Sequence, residues 1–215
     1  MMGNYQVRFL GGKGAAMPPT YPIKKYMKNV EMPIQRIGER GWKSSLIKFL
    51  ENYDIEVFPI DDKDILIEIE KKLGWKLPKE MKDFYLYFGG TDNTDFMSNL
   101  YPLDNLIPLS ESSWEFVLSE FPREVIDKYI VFAESPATDP LCIDKDNYEV
   151  VLFSHDPIKY GKVYNNFNDY LKNEIISTQE LLGELEFDEG EKKSYMTKLL
   201  PGENIDFEFR HEKLE

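Results

Sequence analysis

The segment KKLGWKLPKEMKDFYLYFGG, residues 71–90, holds the densest set of backbone-fixing features in the chain. Pro78 stands where a first helical turn begins, a position at which a missing N–H costs nothing. Met81, Phe84, Tyr85 and Phe88 follow at i, i+3, i+4 and i+7, the spacing of one helical face. Gly89 then supplies a left-handed C-terminal stop. The segment predicts a helix whose aromatic stripe faces a core, and it contains no set of groups for catalysis. It frames a site without making one.

Upstream, Ile65, Ile69 and Leu73 recur at helical spacing, with Glu68, Glu70, Lys71 and Lys72 left for the wet side. Asp61 or Asp62 caps this helix and Gly74 ends it. Earlier still, Leu46, Ile47, Phe49 and Leu50 predict a short helix beginning near Trp42, and IEVFPI (55–60) a brief extended piece. Downstream, the capping run SESS (110–113) leads into a second stripe, Trp114, Val117, Leu118 and Phe121, closed by Pro122. YIVFAES (129–135), PLCID (140–144) and YEVVLFSH (148–155) are rich in β-branched and aromatic residues. The turn signature Lys145-Asp146-Asn147 joins the last two, so the three predict an antiparallel meander. Asn165 or Asn166 caps a closing helix carrying Phe167, Tyr170, Leu171 and Ile175.

The flanks differ in character from this middle. Tyr5, Val7 and Phe9 alternate like a short strand, but Gly11-Gly12-Lys13-Gly14 and Pro18-Pro19 break any regular element after it. The GGKG lacks the GxxxxGK[ST] spacing of a phosphate loop, so no nucleotide site is expected there. From about Ser177 the chain turns acidic, with LLGELEFDEGE at 181–191 and a hairpin pattern around Pro201-Gly202. The expected organisation is a basic extension over residues 1–41, one domain over 42–176 and an acidic tail over 177–215. Leu214-Glu215 carries no part of the functional reading.

At 215 residues, 42% of them hydrophobic and 14% aromatic, the chain is long enough to bury roughly 70% of its unfolded surface. No run of about 18 apolar residues offers a membrane span. The first residues lack the apolar stretch of a secretory signal, and a single cysteine forbids an internal disulfide; both point to the cytoplasm. The net charge of -13 is unevenly spread: residues 1–50 carry nine basic and two acidic side chains, and residues 51–215 carry 17 and 37, a net -20. An acidic body repels phosphate backbones and attracts basic surfaces, so a basic protein is the expected partner and nucleic acid is not.

Groups for chemistry are sparse. Cys142 in LCI reads as a small buried apolar residue, and with His155 and His211 alone a zinc site lacks ligands. His155 in SHDP reads as a satisfied surface histidine beside a turn, ahead of a general base. Asp144 and Asp146 begin like a calcium loop, but Tyr148 and the missing Gly break the pattern, which leaves a turn. The run Asp61-Asp62-Lys63-Asp64 is better placed at the positive end of a helix than around a metal. No catalytic residue, metal or cofactor is expected. The long loop TDNTDFMSNLYPLDN (91–105) mixes carboxylates with large aromatics, a composition suited to protein recognition. Asp92, Asp95, Phe96, Tyr101 and Asp104, with Glu111 and Trp114 beyond it, are the candidate partner-binding residues.

In order, IDDKDILIEIEKKLGWKLPKEMKDFYLYFGG (60–90), VFAES (131–135), LCIDKDNYEVVLFSHD (141–156) and FNDYLKNEI (167–175) resemble the SUKH superfamily, the Smi/Knr-type domain. Gly74, Leu77, Pro78, Phe84, Phe88, Gly89 and Gly90 occupy the places of its N-terminal motif. The resemblance covers about Trp42 to Ile176. It departs in the two flanks and where Phe88-Gly89-Gly90 replaces the usual Asn before Gly. It implies an α+β domain with a mostly antiparallel sheet of about four to six strands wrapped by short helices. It also implies a non-enzymatic immunity protein that covers the active site or substrate groove of a toxin, often a nuclease; the chain itself is expected to be a monomer or weak dimer. A regulatory scaffold with a non-toxin partner, as for similar fungal domains, is the alternative. A hydrolase built on carboxylates and His155 is the rival from another class.

Overall fold

The computed structural model describes residues 38–52, 59–60, 63–89 and 98–181, all within the chain's second unit, residues 31–215. Three helices come first: α1 Trp42–Glu51, α2 Lys63–Leu73 and α3 Lys79–Phe88. Two-residue strands β1 Asn99–Leu100 and β2 Ile107–Pro108 follow, each leading toward a single 3-10 turn, Leu103–Asn105 and Leu109–Glu111. Short helices α4 Glu115–Glu120 and α5 Arg123–Ile126 precede the meander β3 Tyr129–Glu134, β4 Pro140–Asp144, β5 Val150–His155 and β6 Ile158–Tyr164. Helix α6, Phe167–Leu181, closes the described part. The class is α+β, as the sequence implies.

The sheet has six antiparallel strands in the order β1-β3-β4-β5-β6, with β2 lying along the same β3 as β1. Alternate residues face opposite ways along a strand, so each strand feeds two layers. Ile130, Leu141, Ile143 and Val150 join the layer built with α1, α2, α3 and α6. Val131, Cys142, Val151 and Phe153 join Leu109, Val117, Phe121 and Ile126 on the other face. Two bulges re-phase this alternation. The register slips between Val131 and Ala133, so that Phe132 and Ala133 both enter the first layer. A second slip puts Val163 and Tyr164 together on that face.

The stripe of α3 is buried as its spacing predicts: Met81, Phe84, Tyr85 and Phe88. Phe84 meets the rings of Tyr85, Phe88 and Phe167, which ties α3 to α6. Pro78 is the N-cap, in extended conformation at φ -60 and ψ 150. Gly89 has φ 65 but ψ -167, which is not the left-handed helical stop the sequence predicts. It is a region essentially closed to residues with a Cβ, so the glycine is more strictly required than a simple cap. Gly74 ends α2 at φ 62.

Several predicted details are corrected. On α2 the inward residues are Leu66, Ile69 and Leu73, while Ile65 is 42% exposed; the stripe starts one residue, about 100° of turn, later than predicted. Glu70 is not on the wet side, because its carboxylate accepts the Leu77 N–H at 2.9 Å and pairs with Lys82 at 3.0 Å. SESS does not cap α4: Trp114 is the N-cap residue and no side chain caps it. Leu118 faces outward at 40% exposure, since α4 is six residues long and buries only Val117. Asn166 caps α6, accepting the Asp169 N–H at 3.1 Å, whereas Asn165 bonds the side chains of Lys162 and Asp169. Helix α6 runs past residue 176 to Leu181. The sequence does not predict β6, where Gly161 and two lysines depress strand propensity and pairing with β5 prevails.

Tyr5, Val7, Phe9, the GGKG run and the rest of 1–37, most of IEVFPI, Asp61, Asp62, Gly90 and the tail beyond Leu181 lie outside the described residues.

Candidate functional site

At the end of the sheet where β3 turns into β4, three loops meet. The turn after β3 is closed by Ser135, whose hydroxyl accepts the N–H groups of Ala137 and Asp139 at 3.2 and 3.1 Å. This turn presents Thr138 and the buried Asp139. One oxygen of Asp139 accepts both the main-chain N–H of His155 at 3.1 Å and its ring Nδ1–H at 2.6 Å. The carboxylate thus fixes which imidazole nitrogen carries a proton and leaves Nε2 outward. Hydrogen bonding to Asp139, then its charge, raises the His155 pKa above the usual histidine value; partial desolvation opposes them and Asp156 adds to them.

Helix α4 supplies the aromatics of this end. The Trp114 indole N–H donates to the Thr138 carbonyl at 3.0 Å. Phe116 meets the His155 ring edge-on, with centroids 6.1 Å apart. Across a two-residue loop, Asp156-Pro157, His155 is paired in register with Ile158, which is 49% exposed. The result is a ring-lined apolar patch with exposed carboxylates at Glu115 and Asp156.

The predicted partner-binding residues fall in four groups. Trp114 is part of this patch. Tyr101 is a buttress of the fold: its N–H donates to Phe132 at 2.8 Å, its carbonyl accepts the Tyr85 hydroxyl at 3.0 Å, and its own hydroxyl bonds Glu134. Burial, and then the Glu134 carboxylate, push that hydroxyl's pKa well up. Asp104 and Glu111 are exposed on the two 3-10 turns, and Lys72 donates to the Asp104 carbonyl at 3.3 Å. Asp92, Asp95 and Phe96 lie outside the described residues.

Of the motif residues, Leu77, Pro78, Phe84, Phe88 and Gly89 are buried around α3. The Asp139–His155 pair, Phe116 and Ile158 escape sequence reasoning. The first joins residues 16 apart through strand pairing, and no local spacing marks it.

Cys142 is buried between β3 and β5, and burial pushes its thiol pKa up, as befits an apolar core residue. Asp144 is a turn residue: its carboxylate accepts the Asp146 and Asn147 N–H groups. Among the described residues no group of three His, Cys, Asp or Glu side chains is placed to hold a metal ion. Among them, too, no helix is long and apolar enough to cross a membrane.

Comparison with known families gives one finding: the model of the SMI1 / KNR4 family (SUKH-1) matches residues 59–173. That span runs from the approach to α2 to the middle of α6 and takes in the whole sheet. No significant match was found among curated proteins or among solved structures.

Proposed function

The chain belongs to the SMI1 / KNR4 family (SUKH-1), and from that membership we propose that it is a non-enzymatic protein-binding module, an immunity protein that blocks a toxin's active site or substrate groove. The observation that carries this reading is charge. Residues 51–215 hold a net -20, a field that steers a basic partner inward and raises its rate of encounter. A toxin that acts on nucleic acid presents a basic groove, and an acidic protein of this kind competes for it on the same electrostatic terms. Exposed Asp104 and Glu111 contribute to that field.

The test is co-expression with the toxin-like product of the adjacent gene, scored by growth rescue and by recovery of a complex. Rescue with a salt-sensitive complex is the expected result. A complex without rescue would replace the immunity reading by a regulatory scaffold; neither rescue nor a complex would remove it.

A further inference from the structure

The apolar patch at the β3–β4 end has features that a fold does not need. Ile158 stands exposed at the start of β6 beside an exposed His155 ring, and half-buried Phe116 and Trp114 continue the surface onto α4. The scaffold beneath is rigid: Asp139 holds two groups of His155, and Thr138 is gripped by the Trp114 indole. Large side chains on a fixed base are the anchors that dominate interface energies. Around them Glu115 and Asp156 are exposed acids. An apolar centre with an acidic rim complements a partner that presents aliphatic groups among lysines or arginines.

We propose that the patch formed by Trp114, Phe116, His155 and Ile158 seats a basic segment of a protein partner, and that protonation of His155 weakens the docking. The proposal rests on the immunity reading only for which protein the partner is. The charged groups around His155 set the sign. Asp139 from the β3–β4 turn and Asp156 beside it are negative; Glu115 flanks Phe116 on α4; the cations of the β5–β6 ladder are Lys159, opposite Ser154, and Lys162, farther off opposite Val151. A protonated imidazole adds a positive charge where the partner brings its own. Asp139 raises the imidazole's pKa above the usual histidine value, so the charge is lost only above the ordinary histidine range. Docking therefore tightens as pH rises through that raised pKa.

An amphipathic Lys/Leu peptide serves as the probe, titrated into the full chain by NMR and calorimetry. The Trp114 indole and the His155 and Ile158 amides are expected to shift. Ile158→Lys should weaken the peptide about tenfold, while Ile67→Lys, on the exposed side of α2, should leave it unchanged. Affinity should rise about two- to fivefold from pH 6.0 to 8.5, and this slope should vanish in His155→Gln. Shifts scattered over other acidic surfaces, equal losses in both lysine variants, or a pH slope retained in His155→Gln would each overturn the proposal. Docking at the patch without growth rescue by the wild type would keep this surface and remove the immunity reading. Undiminished rescue by Ile158→Lys, with the peptide bound elsewhere, would do the reverse.

Discussion

Phe84 shows how much one residue settles. It is fully buried and its ring touches rings of α3 and α6, so Phe84→Ala removes contacts from two elements at once. A loss of about 3 to 5 kcal/mol is expected in denaturant titration, with the slope unchanged. His155 gives a prediction of the opposite kind, in which charge and not volume decides. Its folded pKa is raised, so its pairing with Asp139 stabilises fully below the unfolded value of about 6.5 and fades as pH rises through the folded one. Thermal scans from pH 6 to 8 should show the wild type losing its advantage over His155→Gln. Phe84 was legible because helical spacing is local. His155 was readable as a surface histidine, but its partner lies 16 residues away across a strand pair, and nothing in the sequence encodes that distance.

At the scale of elements, long periodic segments were plain and short ones were not. Helix α3 keeps all four predicted residues inside, but α4, with six residues, has too few turns for periodicity to fix which side is inward. Strand β6 was invisible because its lysines and Gly161 argue against a strand, and only the register of β5 overrides them. Helix α6 carries a feature no pattern signals. Glu174 is buried, and its carboxylate accepts the Ser98 N–H at 2.8 Å and the Ser98 hydroxyl at 3.1 Å. This fixes the chain just before β1. Glu174→Ala strands a buried N–H, and a loss of about 2 to 3 kcal/mol is expected. Hydrogen exchange at the Tyr101 amide, which donates to the Phe132 carbonyl, should accelerate in the variant, because the strand that depends on the anchor is only two residues long.

For the whole molecule, the sequence already held the order of helices and meander and the sign of the field, since these follow from composition and from the order of patterns, and the resemblance added the class. Where the side chains converge was not in it. The tip patch is assembled from α4, the β3–β4 turn and the end of β5, and only the closed sheet brings these together. The electrostatic prediction belongs at this scale. Association with a basic partner should slow about tenfold as salt rises from low to physiological ionic strength, and Asp104→Lys should slow it further while melting stays unchanged. Stopped-flow rates that are flat with salt would contradict steering by the acidic body.

The interrupted side of the sheet has a consequence for how the protein survives at high concentration. Strands β1 and β2 are two residues each, separated by a 3-10 turn, and β2 ends in Pro108, which has no amide hydrogen. A stray β-segment arriving there finds no continuous row of donors and acceptors to extend. Along β3 the ladder is therefore closed to growth by recruitment, so overproduction of the chain gives fibril seeds no template on that flank.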